Sequence, residues 1–184
     1  FLMILRPPRA TLDRSSAASD VFKRQIMEAG EEFGIANFGT YAMNSLRMEK
    51  AYKGWGSELT TEITPMEAGL ERFIDFSKCF IGREATLSRK LLGVNTKLVY
   101  VSVETSDSDC LGNEPVMDNE QIIGVTTSGA YGHTVYQSLA FAYVQPQYAE
   151  PGTQFKIKIL GKNCIAKVLT EAVHDPENLR LRDV

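Results

Sequence analysis

The chain has 184 residues, 43% of them hydrophobic, enough for the core of one ordinary domain or two small ones. A net charge of −3 with dispersed Lys and Arg argues against a nucleic-acid partner, and no apolar run approaches the ~18 residues of a membrane span. Three cysteines, Cys79, Cys110 and Cys164, are odd in number and far apart, so they suggest neither a disulfide framework nor a zinc knuckle and fit a reducing compartment.

Residues 1–25, FLMILRPPRATLDRSSAASDVFKRQ, differ in composition from the rest of the chain. An apolar pentad and a Pro-Pro pair precede Ser, Ala and Asp with scattered basic residues. The segment carries net +3 and leaves −6 on residues 26–184. A signal peptide would place its basic residues ahead of a longer apolar run. The ending SSAASDVFKRQ resembles a translated sequencing adapter, and the expectation is a disordered, non-native tail; a disordered natural tail is the alternative.

IMEAGEEFG, residues 26–34, reads as the end of a helix stopped by Gly34. From Phe38 the apolar residues Phe38, Ala42, Met43 and Leu46 recur at helical spacing, with Asn37 as a cap, and this helix runs out near Glu49. In TPMEAGL, Thr64, Pro65 and Glu67 spell a capping box with proline at the first helical position, and Gly69 keeps that helix short. LERFIDF, residues 70–76, reads as a strand, and GREATLSRKLLG as a short helix ended by Gly93.

Beyond Gly93 the pattern changes to strand-length runs at 97–105, 121–129, 138–144, 153–160 and 164–170, separated by turn residues. The three-residue link GKN between the last two marks a hairpin. Strands this short, with no helix between them, predict an antiparallel barrel or sandwich. The fold class expected is α+β: a partial mixed α/β unit to about Phe80, a linking helix, then an antiparallel β-barrel. The corresponding segments are 1–25, 26–80 and 81–184.

Chemistry-bearing residues are sparse. His133 and His174 have no partner at metal-ligand spacing, and no dinucleotide fingerprint occurs. Cys79, beside Lys78, lacks a companion base and reads as a passive thiol. Glu49 is less ordinary. A carboxylate at a helix C-terminus opposes the macrodipole, so its position needs another reason. Neighbouring Tyr52 and Trp55, with Gly54 and Gly56, suit a flat heterocycle whose paired N–H groups a carboxylate can accept. The ordinary alternatives are a solvated helix-end acid and two core aromatics.

Seven collinear motifs carry a resemblance. FGTYAMNSLRMEKAYKGWGSEL, TPMEAGLERF, FIGREA, GNEPV, IGVTTSGAYG, SLAFAYV and PGTQFKIKILGK together resemble the folate-dependent aminomethyltransferase family. That family includes the glycine-cleavage T-protein and the C-terminal folate portion of dimethylglycine dehydrogenase; FGTYAMNSLRMEKAY and SLAFAYV look most like the latter. The resemblance implies that 26–80 is the end of a folate-binding domain and 81–184 the family's C-terminal barrel. It implies that Glu49, the acid of the LR-x-E motif, recognises the pterin ring of tetrahydrofolate. A family arginine facing the ligand falls on Lys78, where the charge is kept and the planar fork lost. Tyr52 and Trp55 complete the candidate cofactor-binding set.

The reaction implied is transfer of a one-carbon unit from an N-methyl or aminomethyl donor to tetrahydrofolate, giving 5,10-methylenetetrahydrofolate. The family's catalytic aspartate lies upstream of this segment, so no catalytic residue is assigned here. FAD is expected only in an absent upstream flavin oxidoreductase domain of the same full-length chain. The expected partners are folate and an amine-derived donor, with no metal, nucleic acid or membrane. The expected location is cytoplasmic in a bacterium and the mitochondrial matrix in a eukaryote. The fragment alone is expected to be inactive. A non-catalytic folate-binding regulatory or scaffold module of the same fold is the alternative.

Overall fold

The computed structural model describes residues 20–182. The described residues fall into two compact units that divide after Gly39. In the first, helix α1 covers 20–29, and a 3-10 turn at Glu31–Phe33 ends on Gly34, whose φ of 68° accommodates the left-handed closure. The helix passes unbroken through residue 25, so the tail boundary expected there falls inside an element. Residues 1–19 lie outside the described residues.

The second unit holds α2 (Thr40–Glu49), α3 (Arg83–Leu92), six strands and a terminal turn of helix, α4 (Leu179–Arg182). The strands are β1 (Lys97–Val103), β2 (Pro115–Asp118), β3 (Gln121–Gly132), β4 (Gln137–Val144), β5 (Gln154–Ile159) and β6 (Lys162–Val168). They close into a barrel in the order β1-β4-β3-β2-β5-β6, every pair antiparallel. Closure removes exposed sheet edges.

Side-chain alternation builds two cores from one sheet. Val99, Val101 and Val103 of β1 and Ala140, Ala142 and Val144 of β4 point into the barrel, where they meet Phe155, Ile157 and Ile159 of β5 and Ala166 and Val168 of β6. The intervening Tyr100, Leu139 and Phe141 point outward and pack around Met48 of α2. This explains why β4 reads SLAFAYV: it is covered on both faces, so alternation gives way to a continuous apolar run. Full burial of side chains the size of Met48 and Phe141 contributes roughly 1.5–3 kcal/mol each.

The β5–β6 connection is tighter than expected. Leu160 and Gly161, with φ of 45° and 84°, form a two-residue link between strands ending at Ile159 and beginning at Lys162. Positive φ at both central residues is the primed-turn geometry that matches strand twist.

Several expectations upstream of the barrel change. Helix α2 begins at Thr40, three residues beyond the cap predicted at Asn37. Its expected apolar face is not its packed face: Met43 and Leu46 are more than half exposed, and the buried residues are Ser45, Met48 and Glu49. Helix α2, although it lies before the boundary expected near residue 80, packs on β3 and β4 and falls in one compact unit with the barrel. The capping box at 64–67 forms as read. Glu67 Oε2 accepts the Thr64 N–H at 2.8 Å, and the Glu67 N–H reaches back to Thr64 Oγ1 at 3.4 Å. Only a turn comes after it, since Gly69 takes a φ of 64°. LERFIDF is no strand. It holds a 3-10 turn at Glu71–Phe73, with Phe73 exposed, and it pairs with no strand among the described residues. Among the described residues no helix is long and apolar enough to cross a membrane.

Candidate functional site

Helix α2 is fastened to the barrel by polar contacts at each buried turn. Asn44 Nδ2 donates to the Gly129 carbonyl at 3.0 Å and Ser45 Oγ to the Tyr131 carbonyl at 2.6 Å. The Tyr100 hydroxyl donates to the Met48 carbonyl at 2.7 Å, satisfying one of the helix's last free acceptors. Burial first, and the Glu49 charge with it, push the Tyr100 phenol far above its ordinary range.

Those contacts deliver Glu49, the last residue of α2, into a site where it is 2% exposed. Its Oε1 accepts the Thr134 backbone N–H at 2.6 Å, and its main-chain carbonyl accepts the His174 N–H at 3.1 Å. Gly132 passes so close that a Cβ there would lie 3.0 Å from Glu49 Cγ. The carboxylate is thus held against the β3–β4 turn, while the residue's main chain is tied to the segment after β6. A solvated helix-end acid would show none of this.

The strongest polar anchor of the unit is one that the sequence does not announce. Glu58 is fully buried. Its Oε2 pairs with Arg47 Nη1 at 3.0 Å and accepts the Gly54 N–H at 2.6 Å; its Oε1 accepts Thr127 Oγ1 at 2.7 Å and the Ser128 hydroxyl. Consecutive strand residues normally face opposite sides, but a bulge in β3 between Thr126 and Ser128 leaves Thr127 unpaired with β4 and turns it to the same carboxylate. Burial pushes the Glu58 carboxyl up, yet the hydrogen bonds from Ser128, Gly54 and Thr127 and the Arg47 charge together hold it below the ordinary carboxylate value. Tyr143 closes the cage by donating to the Glu58 carbonyl at 2.8 Å. Sequence offered no signal for this role: Arg47 and Gly54 are near in the chain but form no recognisable pattern with it, and Thr127 and Ser128 lie 69 and 70 positions away.

The other predicted site residues stand apart from Glu49. Tyr52 is half exposed and donates to Asn178 Oδ1 at 3.0 Å. Trp55 is 80% exposed on the loop after α2. Lys78 lies on the surface and pairs with Asp75 at 3.4 Å. Among the described residues no hydrogen bond or ion pair joins any of the three to Glu49.

A closed six-stranded antiparallel barrel thus carries an α-helix docked on its outer face through a buried acid. Similarity to known families supplies the class. The family described as "Glycine cleavage T-protein C-terminal barrel domain" matches residues 97–175, and "GCVT N-terminal domain" matches residues 14–78. The chain belongs to this glycine-cleavage T-protein, or aminomethyltransferase, family.

Human mitochondrial dimethylglycine dehydrogenase is 45% identical over 159 residues, which cover 85% of this chain and 18% of that protein. The mouse mitochondrial pyruvate dehydrogenase phosphatase regulatory subunit is 37% identical over 126 residues, 65% of this chain and 14% of that protein. The crystal structure of the glycine cleavage system aminomethyltransferase T from Bartonella henselae superimposes with a TM-score of 0.69 at 26% identity, covering 73% of this chain and 38% of that one. The chain therefore spans about a fifth of the length of the dehydrogenases it matches.

Proposed function

We propose that this chain is the tetrahydrofolate-binding C-terminal part of a longer enzyme. That enzyme moves a one-carbon unit from an N-methyl or aminomethyl donor to tetrahydrofolate, giving 5,10-methylenetetrahydrofolate. One observation carries the reading. The acid of the LR-x-E motif, Glu49, is buried and oriented by a backbone N–H on one oxygen, with acceptor capacity left for a ligand. A pterin presents a ring N–H and an exocyclic amine side by side, and an ionised carboxylate is the complementary group. Tetrahydrofolate supplies the amine that takes up the one-carbon unit; this chain's part is to bind and orient the ring. Lys78, Tyr52 and Trp55 remain in the proposed binding set. They would have to be drawn toward the ring by the rest of the longer protein.

The identity to dimethylglycine dehydrogenase favours an upstream flavin domain carrying FAD and an N-methyl amine as donor, in a mitochondrial setting. The experiment uses a full-length protein containing this segment. It measures formaldehyde released per amine oxidised, with and without tetrahydrofolate. The reading expects tetrahydrofolate to suppress the formaldehyde and 5,10-methylenetetrahydrofolate to replace it. A second reading, a non-catalytic module of the same fold, is favoured by the identity to a regulatory subunit. It expects no amine oxidation at all, with folate binding retained.

A further inference from the structure

We propose that the cleft between residues 50–53, the 3-10 turn Glu71–Phe73 and the segment after β6 binds a small organic anion, whose carboxylate or phosphate oxygens are held by Lys53 and Arg72. The cleft encloses about 610 Å³, within the range of small-molecule sites. Leu98, Tyr100 and Phe141 give it an apolar floor. Glu49 does not line it, although Tyr52 of the proposed pterin set does; the inference rests on Lys53 and Arg72 and not on the pterin reading.

Three cations reach this cleft, and two lack a counter-charge. Lys50 Nζ is committed to Asp175 Oδ2 at 2.8 Å. Lys53 Nζ donates to the Ala68 carbonyl at 2.5 Å, a neutral partner. Arg72 lies over the Phe73 ring at 4.7 Å, while the acid beside it, Glu71, pairs with Lys90. Neither Lys53 nor Arg72 forms an ion pair among the described residues. Of the acids nearby, Asp175 is held by Lys50, Glu58 by its own cage, and Glu171 is exposed on the cleft wall.

Two unpaired cations line one half-enclosed cleft and repel each other; Lys53 is partly stripped of water, while Arg72 is exposed. Burial and then the Arg72 charge hold the Lys53 ammonium below its ordinary value, with Glu58 opposing the shift. An anion between them would remove the repulsion and accept hydrogen bonds from the planar guanidinium and from the two ammonium hydrogens that Ala68 leaves free.

The test is a titration of the isotopically labelled whole chain with inorganic phosphate and, separately, with glutarate at low ionic strength, followed by amide chemical shifts. At least one anion should give saturable shifts centred on residues 53 and 68–72, with a Kd below about 10 mM. Saturation by phosphate alone assigns a phosphate-bearing ligand, by glutarate alone a carboxylate-bearing one, and by both the shared anionic chemistry. Lys53→Gln and Arg72→Gln should each weaken binding about tenfold or more, while Lys162→Gln, at the start of β6 and outside the cleft lining, should not change it. No saturation with either anion up to about 50 mM, or an affinity indifferent to both substitutions, overturns the proposal.

Discussion

Arg47 Nη1 and Glu58 Oε2 stand 3.0 Å apart, the arginine side chain 19% exposed and the glutamate fully enclosed. This pair links α2 to the loop beyond it, and through Thr127 and Ser128 that loop to β3. Removing the acid leaves Arg47 and two hydroxyls without their shared partner. Glu58→Gln should therefore cost about 2–4 kcal/mol, seen in urea unfolding as a lower midpoint with an unchanged slope. A loss below about 0.5 kcal/mol would show that the cage adds little to stability.

The same residue fixes a pH dependence. The folded-state value of Glu58 lies below its ordinary 4.5, so its stabilising contribution is present above that value and drains away as pH falls through the lower folded-state value. Glu114 acts in the same sense. Burial pushes it up, and hydrogen bonds from Thr126, Leu111 and Gly112 outweigh that. Unfolding free energy should fall from pH 5 toward pH 3, and it should fall less steeply in Glu58→Gln. Parallel curves for the two proteins would remove Glu58 as the source.

Gly129 is required by space. A Cβ there would lie 2.6 Å from the Cys110 carbonyl oxygen and 3.0 Å from that of Leu139, both backbone atoms that cannot swing aside. Gly129→Ala should cost roughly 2 kcal/mol or more, whereas Gly39→Ala, with nothing within 4 Å, should leave thermal stability nearly unchanged.

The docking of α2 on the barrel has its own signature. Met48 is completely buried among Tyr100, Leu139 and Phe141, so Met48→Ala should cost about 2–5 kcal/mol. Amide exchange at residues 45–49 should then be protected to nearly the level of β1 and β4. Exchange there as fast as in the loop around Phe73 would mean that α2 opens independently of the barrel.

Much of the barrel was readable because its physics is local. Alternation and turn residues report within a few positions; the β5–β6 hairpin was read in this way, although its link is Leu160-Gly161 and not GKN. The exception is β2, whose four residues, Pro115–Asp118, are too few to show a period. Upstream, the signal misled wherever packing decided. Phe38, Met43 and Leu46 have helical spacing but are exposed, while Ser45 and Glu49 face the barrel because hydrogen-bond partners wait there. Leu70, Ile74 and Phe76 mimic a strand's alternation with no sheet beside them. Glu49 was identified by its motif and its awkward place at a helix end; Glu58, with no local pattern, was legible only after β3 and its bulge were in place.

The most direct measurement is the tetrahydrofolate affinity of Glu49→Gln in a full-length protein containing this segment. Glutamine keeps an oxygen for the Thr134 N–H, so the melting temperature should stay close to that of the parent. Toward the ligand, however, it offers an amide donor where the pterin needs acceptors. Affinity should fall about 30- to 1000-fold, roughly 2–4 kcal/mol, while amine oxidation elsewhere in the protein is left largely intact. Unchanged tetrahydrofolate affinity in a normally folded Glu49→Gln protein would contradict the account, leaving Glu49 as a clasp between α2 and the β3–β4 turn.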